Sequence, residues 1–460
     1  MSQVTVPVTD AQAPLDRAVF HAKQWLDAVP DRRVPATGSA EDAIARLGAD
    51  LPENGTPAAE VIDRLAAAVE PGLMLSPSGR FYGWVMGGTL PAAMGADWLV
   101  SAWDQNAGMR DSTPGVVAAE EIAAHWLLQL LHLPSDAAVG LTTGATMANF
   151  TCLAAARTRV LERVGWDVAK DGLSGAPRVR VLVGDEWHSS VELGLRYLGL
   201  GYPEVLPSDD QGRLDAAALR AALAGTEGPT IVCLQAGNIH SGAFDPFAEA
   251  VAAAHEVGAW VHVDGAFGLW ALVSDRLDDL TAGLADCDSW ATDAHKTLNT
   301  PYDGGVAIVA DREALSAAMG AHASYLLESS ANPYERVPEM SRRARGVPIY
   351  AALASLGRSG AVALVDGLVD AARGLADGLA EIPCARIVND VVFTQVSLAF
   401  DNDERTREIY ARILAEGVVM PSPSVWRGQA VIRFSVSNWQ TGPDEVAATV
   451  DAVRRAAVAS

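Results

Sequence analysis

The sequence contains few of the residues that build disulfide frameworks and metal sites. It has four cysteines in 460 residues, and they are far apart, without a C-x-x-C motif or a metal-ligand spacing. Its nine histidines include no H-x-x-x-H pair, so we predict no bound metal. We expect the cysteines to be small buried side chains in a reducing compartment. They are Cys152, Cys233, Cys287 and Cys384.

Positive charge is also scarce. The chain has 34 Lys and Arg against 57 Asp and Glu, a formal net charge of −23. Nucleic acids and anionic membrane surfaces are bound mainly through basic patches, so we expect neither as a partner. No basic segment leads into an apolar run at the N-terminus, and no uninterrupted apolar run reaches the roughly 20 residues of a membrane-spanning helix. We therefore expect a cytoplasmic protein with no membrane partner.

Three regions of the chain differ in pattern. Residues 1–79 carry two helix-like segments, "PLDRAVFHAKQWLDAV" and "PAAEVIDRLAAAVE", which predict an N-terminal helical arm. Residues 80–355 alternate helical segments with short apolar runs, which predicts an α/β domain with a mainly parallel sheet covered on both faces. Residues 356–460 predict a small α+β domain with a long first helix. The apolar runs of the middle region are "AVGLTT", "RVRVLVGD", "TIVCLQAG", "AWVHVD", "SWATD" and "GGVAIVA".

Four loops at the predicted strand ends carry unusual residues. "TTGATMANF" places Gly144 at the start of a long helix, where free amides and the positive dipole end can hold an anion. "EWHSSV" puts His188 at a helix start, "VHVDGAFGLWA" ends a strand with Asp264, and "SWATDAHK" ends another with Lys296. Each feature alone also has an ordinary explanation, such as a helix cap, a surface histidine, a turn-capping carboxylate or a solvated lysine.

Together, the four loops indicate one cofactor. Ligands of open α/β sheets bind at the carboxyl ends of the strands, so these side chains are expected to meet at one edge. An anion site, a ring-stacking histidine, a buried carboxylate and a lysine are what pyridoxal phosphate (PLP) requires for its phosphate, ring face, ring nitrogen and Schiff base. The chain has only three lysines, and Lys296 is the one that stands in this pattern.

The motifs resemble those of the group II amino-acid decarboxylases, which are fold-type I PLP enzymes and include the aromatic-L-amino-acid, glutamate and 2,4-diaminobutyrate decarboxylases. The resemblance extends roughly over residues 81–439, and the N-terminal helices match the family's dimer-swapped arm more loosely. It implies a large domain with a seven-stranded type of sheet flanked by helices. The motifs that carry it, in the family's order, are "TTGATMAN", "DEWHSSV", "AGNIHSGAFDP", "HVDGAFG" and "DAHK".

The resemblance implies a role for each matching residue. Lys296 would form the Schiff base, Asp264 would pair with the protonated ring nitrogen, and His188 would stack on the ring. Asn238 stands where the aromatic-acid decarboxylases usually have a hydroxyl residue near the cofactor's phenolic oxygen, which leaves the substrate class open. The implied cofactor-binding residues are Gly144, Ala145, Thr146, His188, Asn238, Asp264, Ala266, His295 and Lys296.

The reaction implied is decarboxylation of an L-amino acid to a primary amine and carbon dioxide. A donor must then protonate Cα, and in the family this is a tyrosine on a mobile loop after the lysine; here we predict Tyr334, with Tyr325 as the weaker choice. Arg433 is expected to form a structural ion pair, or alternatively to meet a carboxylate. Because fold alone does not fix the reaction, aminotransfer and cleavage of the Cα–Cβ bond stay open, as does a cofactor-binding protein without turnover.

The resemblance also implies a homodimer with its active site at the subunit interface. The N-terminal arm would then bury its apolar stripe on the neighbouring subunit.

Overall fold

A computed structural model describes residues 11–225, 227–320 and 332–458. The N-terminal region contains three helices in its described part, one of which the sequence pattern did not indicate. That helix, residues 40–47, begins with a capping box in which Ser39 and Asp42 bond each other's backbone amides. The helices here are α1 (Gln12–Asp27), α2 (Ala40–Leu47) and α3 (Ala58–Val69), followed by a 3-10 turn (Glu70–Gly72).

A seven-stranded sheet forms the centre of the chain. Its spatial order is β1-β7-β6-β5-β4-β2-β3, and all neighbours pair in parallel except β7, which runs antiparallel to both β1 and β6. Six of these strands match the apolar runs of the sequence. The seventh, β3, was missed because it is a three-residue edge strand that is only partly buried. The strands are β1 (Ala138–Thr142), β2 (Arg180–Gly184), β3 (Glu204–Leu206), β4 (Thr230–Gln235), β5 (Trp260–Asp264), β6 (Ser289–Asp293) and β7 (Gly305–Val309).

Helices cover both faces of this sheet, which explains why its central strands are buried along their full length. One apolar core lies on each face. The helices are α4 (Pro91–Trp103), α5 (Pro114–Leu130), α6 (Ala145–Glu162), α7 (Val168–Asp171), α8 (Ser189–Tyr197), α9 (Ala216–Leu223), α10 (Phe247–Glu256), α11 (Asp278–Thr281) and α12 (Arg312–Met319). Short 3-10 segments lie at Gly268–Val273, Asp275–Leu277, Leu284–Asp286 and Pro333–Arg336.

The C-terminal region forms a second sheet with its own apolar core. Its four strands pair antiparallel in the order β10-β11-β9-β8. The sequence pattern missed β10, whose middle residues are exposed or half-buried. The elements are α13 (Gly346–Ala380), β8 (Arg386–Ile387), β9 (Gln395–Ala399), α14 (Asp403–Glu416), β10 (Ser422–Trp426), β11 (Gln429–Ser435) and α15 (Pro443–Val458).

Helix α13 links the two sheets. By length and composition it could cross a membrane, but it is interrupted at Gly357, where the backbone leaves helical geometry (φ 61°, ψ −178°). Residues on both sides of the break, such as Ile349 and Leu375, are buried in the protein's own cores. The predicted domain boundary at 355/356 falls beside this break. Three cysteines are buried as expected, whereas Cys384 is exposed.

Candidate active site

The carboxyl edge of the large sheet encloses a cavity of about 300 Å³. Strands β1, β4, β5 and β6 all end there, because β1 is antiparallel to β7 and therefore parallel to the others. This brings together most of the residues that the sequence predicted for the site. The lining residues include Gly144, Ala145, Thr146, His188, Asp264, Ala266, His295 and Lys296.

Lys296 forms an ion pair inside the cavity. Its Nζ lies 2.9 Å from Oδ2 of Asp293, whose side chain is 3% exposed while that of the lysine is 20% exposed. The lysine is thus held at the end of β6 with its ammonium group accessible from the cavity. The backbone at Gly87 packs directly against the backbone of Lys296. A Cβ on Gly87 would lie 2.1 Å from the carbonyl oxygen of Lys296, so no larger residue fits at position 87 without a shift of the backbone.

The N-terminus of α6, where the sequence predicted an anion site, lies at the cavity. Gly144 precedes this 18-residue helix, and the amide of Ala145 points into the site, where it donates to Oδ1 of Asp293 at 2.6 Å. Free amides and the helix dipole together favour a phosphate at this position.

Asp264 is a buried carboxylate surrounded by hydrogen-bond donors. It is 5% exposed, and its Oδ2 accepts from Asn149 Nδ2 at 3.0 Å and from Ser190 Oγ at 3.3 Å. The amide of Ala266 donates to Oδ1 at 3.2 Å. Donors that face an ionised carboxylate offset the cost of burying it. Asp264 can therefore present a negative charge to a ring nitrogen in the cavity.

His188 and His295 lie on the cavity wall in defined orientations. The Nδ1 of His188 caps α8 by accepting from the amide of Ser190 at 3.2 Å. The Nδ1 of His295 accepts from the amide of Gly304 at 3.1 Å, and its ring lies 4.2 Å from that of Tyr302 between centroids. Burial lowers the pKa of His295 below its usual value.

Two predicted residues do not line this cavity. Asn238 is buried, and its side chain is committed to Glu186 Oε2 (2.9 Å) and to the amides of His240 and Ser241. Tyr334 is 3% exposed and lies in the 3-10 segment that packs beside β1 and α12. Their proposed roles stay predictions, and Tyr325 lies outside the described residues.

Three residues of the site were not singled out from the sequence. Asp293 stood in the "DAHK" motif, so the motif itself could have indicated it. Asn149 lies one turn into α6 beyond the glycine loop, and Gln235 ends β4 and lines the cavity. Only the pairing of distant segments shows that Asn149 touches Asp264, because 115 residues separate them.

These groups fit pyridoxal phosphate. The cavity has the size of a small-molecule site. The α6 amides can donate hydrogen bonds to the cofactor's phosphate. The Lys296 amine can bond to its aldehyde carbon, and the Asp264 carboxylate can pair with its protonated ring nitrogen. Each of the three parts of the cofactor therefore has a chemically suitable partner in one cavity.

Comparison with known proteins supports the same assignment. The family model described as pyridoxal-dependent decarboxylase conserved domain matches residues 41–400. The chain belongs to the pyridoxal-dependent decarboxylase family. As a member of that family it is a PLP-dependent carboxy-lyase that decarboxylates an amino acid, as the sequence predicted.

Curated relatives of this decarboxylase carry several substrate names. It is 29% identical to an L-2,4-diaminobutyrate decarboxylase of Rhizobium meliloti (strain 1021) over 380 residues, which cover 78% of this chain and 74% of the relative. It is 24% identical to an aromatic-L-amino-acid decarboxylase of Bacillus atrophaeus over 423 residues, 87% of this chain and 86% of the relative.

Solved structures show the same fold. The decarboxylase superposes on Oryza sativa TDC with PLP and tryptamine at a TM-score of 0.89, with 22% identity and 99% of each chain covered. Mouse CSAD gives a TM-score of 0.88 at 19% identity, covering 97% of this chain and 98% of that chain. The predicted α/β architecture with a seven-stranded sheet is thereby confirmed.

Proposed function

We propose that the decarboxylase acts on a free L-amino acid in the cavity between Lys296 and Asp264. The observation that carries this proposal is the joint placement of a paired lysine, a donor-lined buried carboxylate and a helix N-terminus around one cavity. Pyridoxal phosphate, when bound, supplies a conjugated ring that accepts the electron pair released at Cα. The chain's own residues orient the reactants and hold the charges.

The proposed roles combine the contacts around the cavity with the roles that the family resemblance implies. Lys296 would hold the cofactor through its side-chain amine until a substrate's amino group takes its place, and the lysine amine would then be released into the cavity. Asp264 keeps a proton on the ring nitrogen, because its carboxylate is fixed by donors and has no other cation among the described ion pairs. His188 covers one ring face and Ala266 the other, where a larger side chain would collide. Gly144, Ala145 and Thr146 hold the phosphate, with His295 beside them.

Arg433 is proposed to receive a carboxylate of the substrate. It was expected to form a structural ion pair, but no carboxylate pairs with it in the ranges that the structure describes. The guanidinium is buried, which lowers its pKa to about 10, and among the described residues it donates to the carbonyls of Ile239 (3.0 Å) and Trp84 (3.3 Å). Since Ile239 also lines the cavity, this buried cation lies behind its wall. A planar donor group there suits a carboxylate.

The substrate is tested by a panel of L-amino acids with the purified, PLP-loaded protein. We expect one class of L-amino acid to release primary amine and carbon dioxide in equal amounts. Arg433→Gln should raise the KM for that amino acid. Arg427→Gln is the matched control, because this exposed arginine already pairs with Glu186. A keto acid as product, or an aldehyde together with glycine, would instead identify aminotransfer or Cα–Cβ cleavage.

We further propose a cytoplasmic homodimer with the active site at the subunit interface. Large apolar side chains are exposed on the N-terminal helices and on α4, which suits burial against a second subunit. They include Leu15, Phe20, Leu65, Leu99 and Trp103. Sedimentation at micromolar concentration should give twice the chain mass. A fully active monomer would contradict the proposal.

A further inference from the structure

Behind Asp264, four buried side chains form a continuous line of hydrogen bonds. We name it the buried relay: Trp260, Ser289, His262 and Asn149. None of the four is more than 1% exposed. The bonds run from Trp260 Nε1 to Ser289 Oγ (2.9 Å), from Ser289 to His262 Nδ1 (3.0 Å), and from His262 Nε2 to Asn149 Oδ1 (2.9 Å). Asn149 Nδ2 completes the line by donating to Asp264 at 3.0 Å.

The two ends of the relay, a donor indole and an acceptor carboxylate, together give its bonds one consistent direction. An indole N–H can only donate, so the oxygen of Ser289 must accept from Trp260. At the other end, Asn149 Nδ2 donates to Asp264, so the amide oxygen of Asn149 accepts from Nε2 of His262. A neutral histidine with its proton on Nε2 accepts at Nδ1, and Ser289 supplies the hydroxyl proton there. Burial keeps His262 neutral, since it lowers the pKa to about 4.

Asn149, the last member, connects the relay to Asp264 in the active site. Because His262 Nε2 donates to the amide oxygen of Asn149, the amide nitrogen must face Asp264. The same nitrogen donates to Ser190 Oγ at 3.1 Å, and that oxygen lies 2.8 Å from Nδ1 of His188. A reversed Asn149 would turn its oxygen toward the carboxylate, which is repulsive and leaves both groups unsatisfied.

We propose that His262, through the buried relay, is a positioning residue that locks Asn149 with its amide donor toward Asp264 and so aims the carboxylate at the cofactor's ring nitrogen. This inference rests on the proposed role of Asp264. The relay extends far from the cavity, because Trp260 stands four residues before Asp264 on β5, roughly 13 Å along the strand. A side chain that touches neither cofactor nor substrate thereby influences the ring nitrogen.

The test compares the affinities of two cofactors for the apo-protein. Binding of PLP and of its 1-deaza analogue, which has carbon in place of the ring nitrogen, is measured by fluorescence titration. Ser289→Ala should reduce the preference for PLP over the analogue by about tenfold, because it leaves Nδ1 of His262 unpaired and frees Asn149 to reverse. Ser289→Thr keeps the hydroxyl and should restore the preference.

Controls separate the relay from a general structural effect. Trp260→Phe removes a donor to the Ser289 oxygen but keeps the hydroxyl, so it should act in the same direction as Ser289→Ala and more weakly, and it serves if that variant does not fold. Trp290→Phe is the matched control, because this fully buried indole donates instead to the carbonyl of Leu284. It should leave the preference unchanged. Equal weakening of both cofactors by the relay variants, or no change at all, would overturn the proposal.

Asp264→Asn distinguishes this proposal from the one on which it rests. This variant should abolish most of the preference for PLP over the deaza analogue. If it does so while the relay variants do not, the relay has no positioning role. If Asp264→Asn itself keeps the preference, the proposed contact between Asp264 and the ring nitrogen is wrong.

Discussion

Asp293 and Lys296 form an ion pair whose carboxylate also accepts from the first amide of α6. One buried side chain thus joins the lysine proposed to form the Schiff base to the proposed phosphate site. Asp293→Asn keeps an acceptor for the amide but leaves the lysine's charge unpaired. We expect it to lower the free energy of unfolding of the apo-protein by about 3 kcal/mol. Denaturant titration measures this loss.

The cost of Asp293→Asn should shrink when PLP is bound, because Lys296 then has a different partner. Asp451→Asn is the matched control, since its pair with Arg454 is largely exposed and should matter little. Equal apo stability of the wild type and Asp293→Asn would show that the pair is not stabilising.

Lys296→Ala should abolish the covalent attachment of the cofactor. The absorbance band of a protonated Schiff base and the label fixed by borohydride reduction should both disappear, and activity with them. Lys170→Ala is the control, because this lysine is exposed and lies at α7, away from the cavity. A Schiff-base band that persists in Lys296→Ala would place the attachment elsewhere.

Two neighbouring arginines should differ sharply in their effect on stability. Arg342 is fully buried, pairs with Glu120 at 2.8 Å, and donates to the carbonyl of Leu141 in β1. Arg342→Met should therefore lower the free energy of unfolding by about 3–5 kcal/mol, because it leaves Glu120 buried without a partner. Arg343→Met should cost at most about 1 kcal/mol, since its pair with Asp97 is partly exposed. Urea unfolding of both variants tests the contrast.

Acid should destabilise the protein through its buried histidines. Burial lowers the pKa of His240 and of His262 to about 4, whereas an unfolded histidine titrates near 6.5. Between these values the unfolded chain binds protons that the folded chain does not, so stability falls as the pH falls from about 6.5 to 4. Each histidine contributes up to about 3 kcal/mol.

One buried carboxyl acts in the opposite direction. Burial raises the pKa of Asp245 to about 6, so the folded chain holds an extra proton above pH 4 and gains stability as the pH falls. The net loss of unfolding free energy between pH 6.5 and 4 should therefore be close to the contribution of one histidine. His240→Gln should flatten the dependence of the unfolding free energy on pH between 6.5 and 4. An unchanged slope would contradict the assignment.

The tyrosine prediction separates two candidates for the Cα proton donor. If Tyr334 is the donor, Tyr334→Phe should lower kcat by about 10²-fold or more and leave PLP binding intact. Because Tyr334 is buried outside the cavity, this role requires the segment Pro333–Arg336 to move toward the substrate. Tyr325→Phe is the comparison. A loss of kcat in Tyr325→Phe alone would assign the role to Tyr325.

The sequence was informative where local chemistry is distinctive. The glycine loop before α6, the carboxylate that ends β5 and the lysine in the turn after β6 each combine a strand end with an unusual residue, and all three line one cavity. Short or exposed elements such as β3 and β10 were missed because they lack a continuous apolar run.

The sequence alone determined the α/β architecture, the cofactor and the family, because strand periodicity and motif order are local properties of the chain. Only the tertiary structure decided which side chains support those motifs. Asn149 reaches Asp264 because α6 packs against β5, and Asn238 turns away from the cavity toward Glu186 because the strands before them, β4 and β2, are neighbours in the sheet. Contacts of this kind depend on distance in space, which motif spacing does not encode.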